Sequence, residues 1–201
     1  MKKSAALAFA TFFAANVAFA QGITVGQKLP PVVVEKKGQM VIEYDVVNDV
    51  MTYKDGTDIQ YETFNSSALN GKIRTIYHLA ARTGIDDINN PYIDALIAAQ
   101  LPEKQPDSAY KTVTILNTDD ALWGTAGIAS GQLEDSQKET AYAYYVVDEK
   151  GVALQTWQLK KKGSAVIVLD RDGTVLYFKD GKLSDNDIAS AVAIIKEKLA
   201  M

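Results

Sequence analysis

The 201-residue sequence contains no cysteine, a single histidine and five prolines. The missing cysteine excludes thiol nucleophiles, disulfides, thiolate metal ligands and a lipid-modified N-terminal cysteine. One histidine, His78, is too few for a zinc site built on nitrogen and sulfur ligands. No Gly-x-Ser-x-Gly segment accompanies it, so no serine-nucleophile motif is present. Beyond residue 20 no apolar run reaches the length of a membrane helix. The only basic run, Lys160-Lys161-Lys162, reads as a solvated loop, and no basic stripe with interleaved aromatics appears. With 21 basic and 25 acidic residues the chain is acidic, which disfavours a phosphate-backbone partner, so no nucleic acid is expected.

The N-terminus reads as a secretory signal. Lys2 and Lys3 supply positive charge, Ala5 to Ala15 is apolar apart from Thr11, and Ala18-Phe19-Ala20 places small residues where a signal peptidase reads. Cleavage is expected between Ala20 and Gln21, with no membrane anchor afterwards and a periplasmic location. Residues 21–201 then form one domain, divided into a β-rich extension (21–68) and a core (69–201), held together by packing alone.

Period and turn chemistry give the order of elements. Val32 to Glu35 suggests a strand, with Lys37-Gly38 as the turn after it. Val41 to Val47 and Ile59 to Phe64 suggest two more, separated by a turn at Lys54-Asp55-Gly56. Lys72 to Ala80 reads as a buried strand. Ile85 to Leu101 has helical spacing around Pro91, so either Asn90 caps a helix starting at the proline or the helix starts near Ile85 and kinks. Val113 to Asn117 reads as a strand. Asp119-Asp120 reads as the start of a helical region reaching Lys138, and Ala143 to Val147 as a further strand. Ala165 to Leu169 and Thr174 to Lys179 read as a hairpin, and Ser184 with Asp187 as the capping box of a last helix. The order implies an α/β fold, a mixed sheet with helices on both faces.

Read this way, the chain resembles the thioredoxin-like superfamily from about Gly26 onward. Gly26 to Pro30 is similar to its glycine-to-proline lead-in, and Leu69-Asn70-Gly71-Lys72 to the leader of its first core strand. Gly163 to Gly173 and Asp180-Gly181 are similar to its final hairpin. If Pro91 stands for the family's helix-kink proline, Thr83-Gly84-Ile85-Asp86 falls on the Cys-x-x-Cys, and Ser164-Ala165 falls where a cis-proline would face it. Both thiols and that proline are absent, so thiol-disulfide oxidoreductase and peroxiredoxin activities are excluded. More closely, Leu79 to Thr83, Asn117 to Ala121, Leu133 to Ser136, Trp157 to Leu159 and Ser164 to Asp170 are similar to the YtfJ family of periplasmic proteins. That resemblance implies the thioredoxin-like fold and export, and no settled activity.

The expected role is therefore a non-redox binding or interaction module, without a cofactor. It would take a periplasmic protein or a small ligand, or a second copy through the N-terminal strands. Arg82, Thr83 and Gly84 precede a helix N-terminus whose free amides favour an anion. With Asp86, and Ser164 opposite, they are the candidate ligand-binding residues, although an ordinary capped turn, with Thr83 or Asp86 as the cap and Arg82 paired locally, accounts for them too. One alternative is a non-thiol enzyme using Arg82, Thr83 and Asp86, with His78 contributing acid-base chemistry. The apolar neighbours of His78 read instead as core packing. Another alternative is a calcium-stabilised envelope protein using Asp86-Asp87, Asp119-Asp120 or Asp170-x-Asp172, although a helix start and a hairpin turn explain the last two. Trp123 and Trp157 read as core or groove residues.

Overall fold

The segment Ile73–Ala80 is buried at all eight positions, which requires cover on both faces and a strand on each side. The computed structural model, which describes residues 22–122 and 124–201, supplies both. The strands are β1 (Val33–Val41), β2 (Tyr44–Val47), β3 (Val50–Tyr53), β4 (Gln60–Asn65), β5 (Ile73–Ala80), β6 (Tyr110–Asn117), β7 (Tyr144–Asp148), β8 (Ser164–Leu169) and β9 (Val175–Asp180). The helices are α1 (Asn90–Ala98), α2 (Ala126–Glu139), α3 (Val152–Thr156) and α4 (Asp185–Ala200). The expected signal segment and Trp123 lie outside the described residues.

Seven strands form a mixed sheet in the order β4-β1-β7-β6-β5-β8-β9. β5, β6 and β7 are parallel, and β8 and β1 join them antiparallel. The layer on one face packs α3, Trp157 and Leu159 against Ile76, Ile115, Val146 and Ile167. The other packs α1, α2 and α4 against Tyr77, Leu79, Val147, Val166 and Val168. The expected capping box starts α4: Ser184 accepts from the Asp187 amide, and the Asp187 carboxylate accepts from the Ser184 amide. Ile188, Val192, Ile195 and Leu199 all join the layer beneath α4.

Three local readings are corrected. Lys37-Gly38 is not a turn. It is a bulge inside a continuous β1, with both residues at positive φ (59° and 75°). Val34 pairs with Phe64 but Gln39 with Glu62, so β1 spends five steps where β4 spends two. A Cβ on Gly38 would lie 2.2 Å from the Glu62 carbonyl oxygen, so only glycine fits. Second, Asp119-Asp120 does not start a helix; α2 begins at Ala126. Asn117 Oδ1 accepts from the Asp119 amide at 3.0 Å, and Asp120 Oδ2 accepts from Asn117 Nδ2 and from the Lys162 amide. Third, α3 follows β7 where no helix was expected. Its first turn is held by the buried Asp148 carboxylate, which accepts from the amides of Val152 and Ala153 at 3.0 and 2.8 Å.

β2 and β3 form a separate two-stranded sheet inserted between β1 and β4. It is tied to the body where the Met51 amide donates to the Lys104 carbonyl at 3.0 Å. Beneath it, Lys111 Nζ donates to the Glu103 and Gln105 carbonyls at 2.7 and 2.8 Å.

Candidate functional site

The turn between β5 and α1 carries most of the sequence-predicted residues. Thr83, Gly84 and Asp86 are exposed there and Arg82 is half-buried. Gly84 has φ +80° with open space around its missing side chain. A 3-10 turn, Asp86–Asn89, then leads into α1, with Pro91 in the first helical turn. Neither expected capping scheme is present. The 3-10 turn has no side-chain cap, and Asn90 Nδ2 instead donates to Asp87 Oδ1 at 2.9 Å. Among the described residues Arg82 forms no ion pair.

Ser164 does not share this exposed surface. It is 1% exposed, and its Oγ accepts from Asn89 Nδ2 at 2.7 Å. Asn89, also 1% exposed, donates in addition to the Gly181 carbonyl at 3.2 Å. Its Oδ1 accepts from the Leu183 amide at 2.9 Å. One amide side chain therefore fastens the start of α1 to β8 and to the loop between β9 and α4. Tyr77 closes the same place from β5, donating to the Asp86 carbonyl at 3.0 Å, and burial pushes its hydroxyl up to about 12. No cis peptide bond occurs among the described residues, so Ser164-Ala165 runs as ordinary strand backbone. The Ser164 carbonyl accepts from the Gly181 amide at 2.7 Å.

His78 is 2% exposed and lies on the α3 side of β5, opposite Ile115 and Ala165. Its Nε2 has no hydrogen-bond partner among the described residues. Burial drives its pKa down to about 4 against a weaker opposing pull from Asp120, so the ring is neutral at pH 7. The ring is enclosed in the core on the α3 side of the sheet.

Two of the proposed calcium carboxylates are held in ion pairs. Asp170 pairs with Lys198 at 2.8 Å and Asp172 with Lys28 at 2.6 Å. No three acidic or histidine side chains converge on a cation position among the described residues. Trp157 is core, 1% exposed, with Nε1 donating to the Pro30 carbonyl at 2.8 Å.

A polar cluster at the opposite end of the strands had no counterpart in the sequence reading. Arg74 and Lys111, register partners on β5 and β6, are 4% and 1% exposed. Arg74 Nε donates to the Leu69 carbonyl at 3.0 Å, and its guanidinium lies 4.9 Å from the centre of the Tyr144 ring. Glu103 accepts from the Thr112 amide at 2.6 Å and from the Thr112 hydroxyl. β7 starts opposite Val113, so this carboxylate serves the last β6 amide that β7 does not reach. Burial raises the Glu103 pKa, opposed by the two Thr112 bonds and then by Lys111 and Arg74. Burial lowers Lys111 to about 8, with Lys72 adding to the effect.

Residues 23–198 match the profile of a family described as "Bacterial protein of unknown function (YtfJ_HI0045)". The chain is 34% identical over 183 residues to the protein YtfJ of Escherichia coli K12, covering 91% of each chain. It is 32% identical over 195 residues to a Haemophilus influenzae protein, covering 96% of each. Among solved structures it is similar to a candidate thiol:disulfide interchange protein, DsbE, from Chlorobium tepidum. The TM-score is 0.55 at 13% identity, covering 89% of this chain and 99% of that one. It is also similar to the thioredoxin domain of a thiol-disulfide oxidoreductase from Bacteroides vulgatus. There the TM-score is 0.52 at 12% identity, covering 86% and 97%. At such identities the likeness establishes the thioredoxin-like fold alone.

Proposed function

We propose, on the premise that this chain belongs to the YtfJ family of bacterial proteins, that it is an exported, non-redox thioredoxin-fold module that recognises another molecule. One observation carries the reading. The turn that would hold two thiols is exposed and cysteine-free, and Ser164, at the position of the facing cis-proline, is sealed beneath Asn89. A scaffold retained without its redox groups is suited to binding. Export rests on the N-terminal charge, apolar run and Ala-Phe-Ala sequence.

The recognised molecule is an envelope protein or a small ligand. The test has two arms. Purified exported protein is screened against small molecules by thermal shift, and immobilised protein is incubated with periplasmic extract. A ligand that raises the melting temperature, or a partner retained at physiological salt, supports the module. No ligand and no partner in either arm removes it. Fractionation of cells expressing the full chain tests export separately, and recovery in the cytoplasm alone would overturn that part.

A further inference from the structure

We infer that the free edge of β2 is the docking strand of this module, and that its occupant is an extended protein segment alternating apolar and basic residues. The inference rests on the module reading above and specifies its partner.

In an antiparallel pair, successive residues point their N–H and C=O alternately toward the partner strand and away from it. The Met51 amide points away from β2, because it donates to Lys104. Val46, paired with Met51, therefore points its own N–H and C=O outward, and so does Tyr44, paired with Tyr53. Among the described residues nothing bonds to that edge. It offers two donors and two acceptors in strand geometry, the arrangement that receives an added strand.

The side chains point the same way. Every residue of β2 is exposed, including Tyr44 (44%), Val46 (51%) and Val47 (54%). Natural edges are guarded by lysine, proline or bulges. Here the strand carries none of these, and its one charge, Asp45, is acidic.

Charge then selects the partner. Residues 43–58 hold Glu43, Asp45, Asp49, Asp55 and Asp58 against a single Lys54, and all five acids are exposed. This segment contributes a net −4 of the −6 carried by residues 22–201. Lys54 is already paired with Glu43 at 2.8 Å. A second copy would bring the same charge to the same edge, so a basic partner is favoured. Immediately before β2 lies a cavity of about 420 Å³ lined by Ile42, Glu43, Thr57, Asp58 and Gln60. A segment running along β2 reaches this cavity at Glu43, where a lysine or arginine side chain meets two carboxylates.

The probe is a nine-residue peptide alternating valine and lysine, blocked at both ends, titrated into the full exported protein. Saturable binding is expected. It should weaken at least about tenfold with Glu43→Lys plus Asp58→Lys, in keeping with the loss of close charge pairs. Asp94→Lys plus Glu197→Lys, an equal charge change on α1 and α4, should leave it intact. Val46→Pro removes only an outward N–H, as edge strands tolerate, and should also weaken binding. A peptide N-methylated on alternate residues tests the same bonds without altering the protein. Absence of binding overturns the inference, as does binding equally affected by both charge reversals. Sedimentation showing a dimer broken by Val46→Pro would also overturn it, by making a second copy the occupant. If periplasmic partners are retained equally by wild type and Val46→Pro, the hairpin is not the docking edge and the module reading survives. If neither peptide nor extract yields a partner, both readings fail.

Discussion

Asn89 Nδ2 donates to Ser164 Oγ across 75 residues of sequence, and neither group reaches solvent. Because the same amide also takes the Leu183 N–H, replacing it exposes a buried backbone donor as well as losing the bond to β8.

Asn89→Ala is therefore expected to cost roughly 2–3 kcal/mol. Ser164→Ala should cost about 1 kcal/mol, since Asn89 keeps Gly181 and Leu183. Urea denaturation of the two variants checks the order. Equal losses would mean that Asn89 acts only through Ser164.

His78 gives the fold an acid-sensitive component. Its folded pKa of about 4 lies below an unfolded value of roughly 6.5. Between those values the unfolded chain binds the extra proton, so stability is complete above pH 6.5 and falls as the pH drops toward 4. His78→Phe removes the titrating group. The difference in unfolding free energy between wild type and variant should slope with pH across this window and flatten above it. A difference independent of pH would show that the ring does not titrate on unfolding.

Among the described residues the Glu103 charge acts on both Arg74 and Lys111 without forming an ion pair with either. Glu103→Ala leaves two buried cations without it and strips the Thr112 amide of its acceptor. A loss of about 1–3 kcal/mol is expected, chiefly from the unsatisfied Thr112 amide. Glu103→Gln keeps an oxygen for Thr112 and should lose less. Thermal and urea unfolding of the pair test this, and a smaller effect for alanine than for glutamine would refute it.

Much of the fold was legible because its central elements carry unbroken signals. β5 is rich in β-branched and aromatic residues, β8 is an apolar run, and α4 announces itself with Ser184 and Asp187. α3 was not legible. Five residues are too few for a helical period, and the only cue was Asp148 four residues ahead of Val152. Arg74 and Lys111 were missed because charge in a sequence reads as exposure, and only the register of β5 with β6 shows them enclosed. The location of the β5–α1 turn followed from counting back from Pro91. That Ser164 is sealed rather than facing an opening depends on Asn89, a contact no local pattern carries.

Gly38→Ala is expected to cost roughly 2–3 kcal/mol, because the residue combines positive φ with a 2.2 Å approach to Glu62. Urea unfolding measures it, and a neutral result would mean that the bulge relaxes.

The bulge at Lys37–Gly38 also inverts parity along β1. Val34 and Met40 are six residues apart and would share a side of a regular strand. Instead Val34 lies in the α3 layer and Met40 in the layer beneath α1, α2 and α4. The three-residue excess over β4 is odd, and it switches the strand from one layer to the other partway along its length. A single-residue deletion there would turn Met40 outward from its layer, whereas removing two residues would keep the inversion and shorten the kink. Length changes in this segment should therefore be tolerated only in even steps, a constraint set by arithmetic rather than by the identity of any side chain.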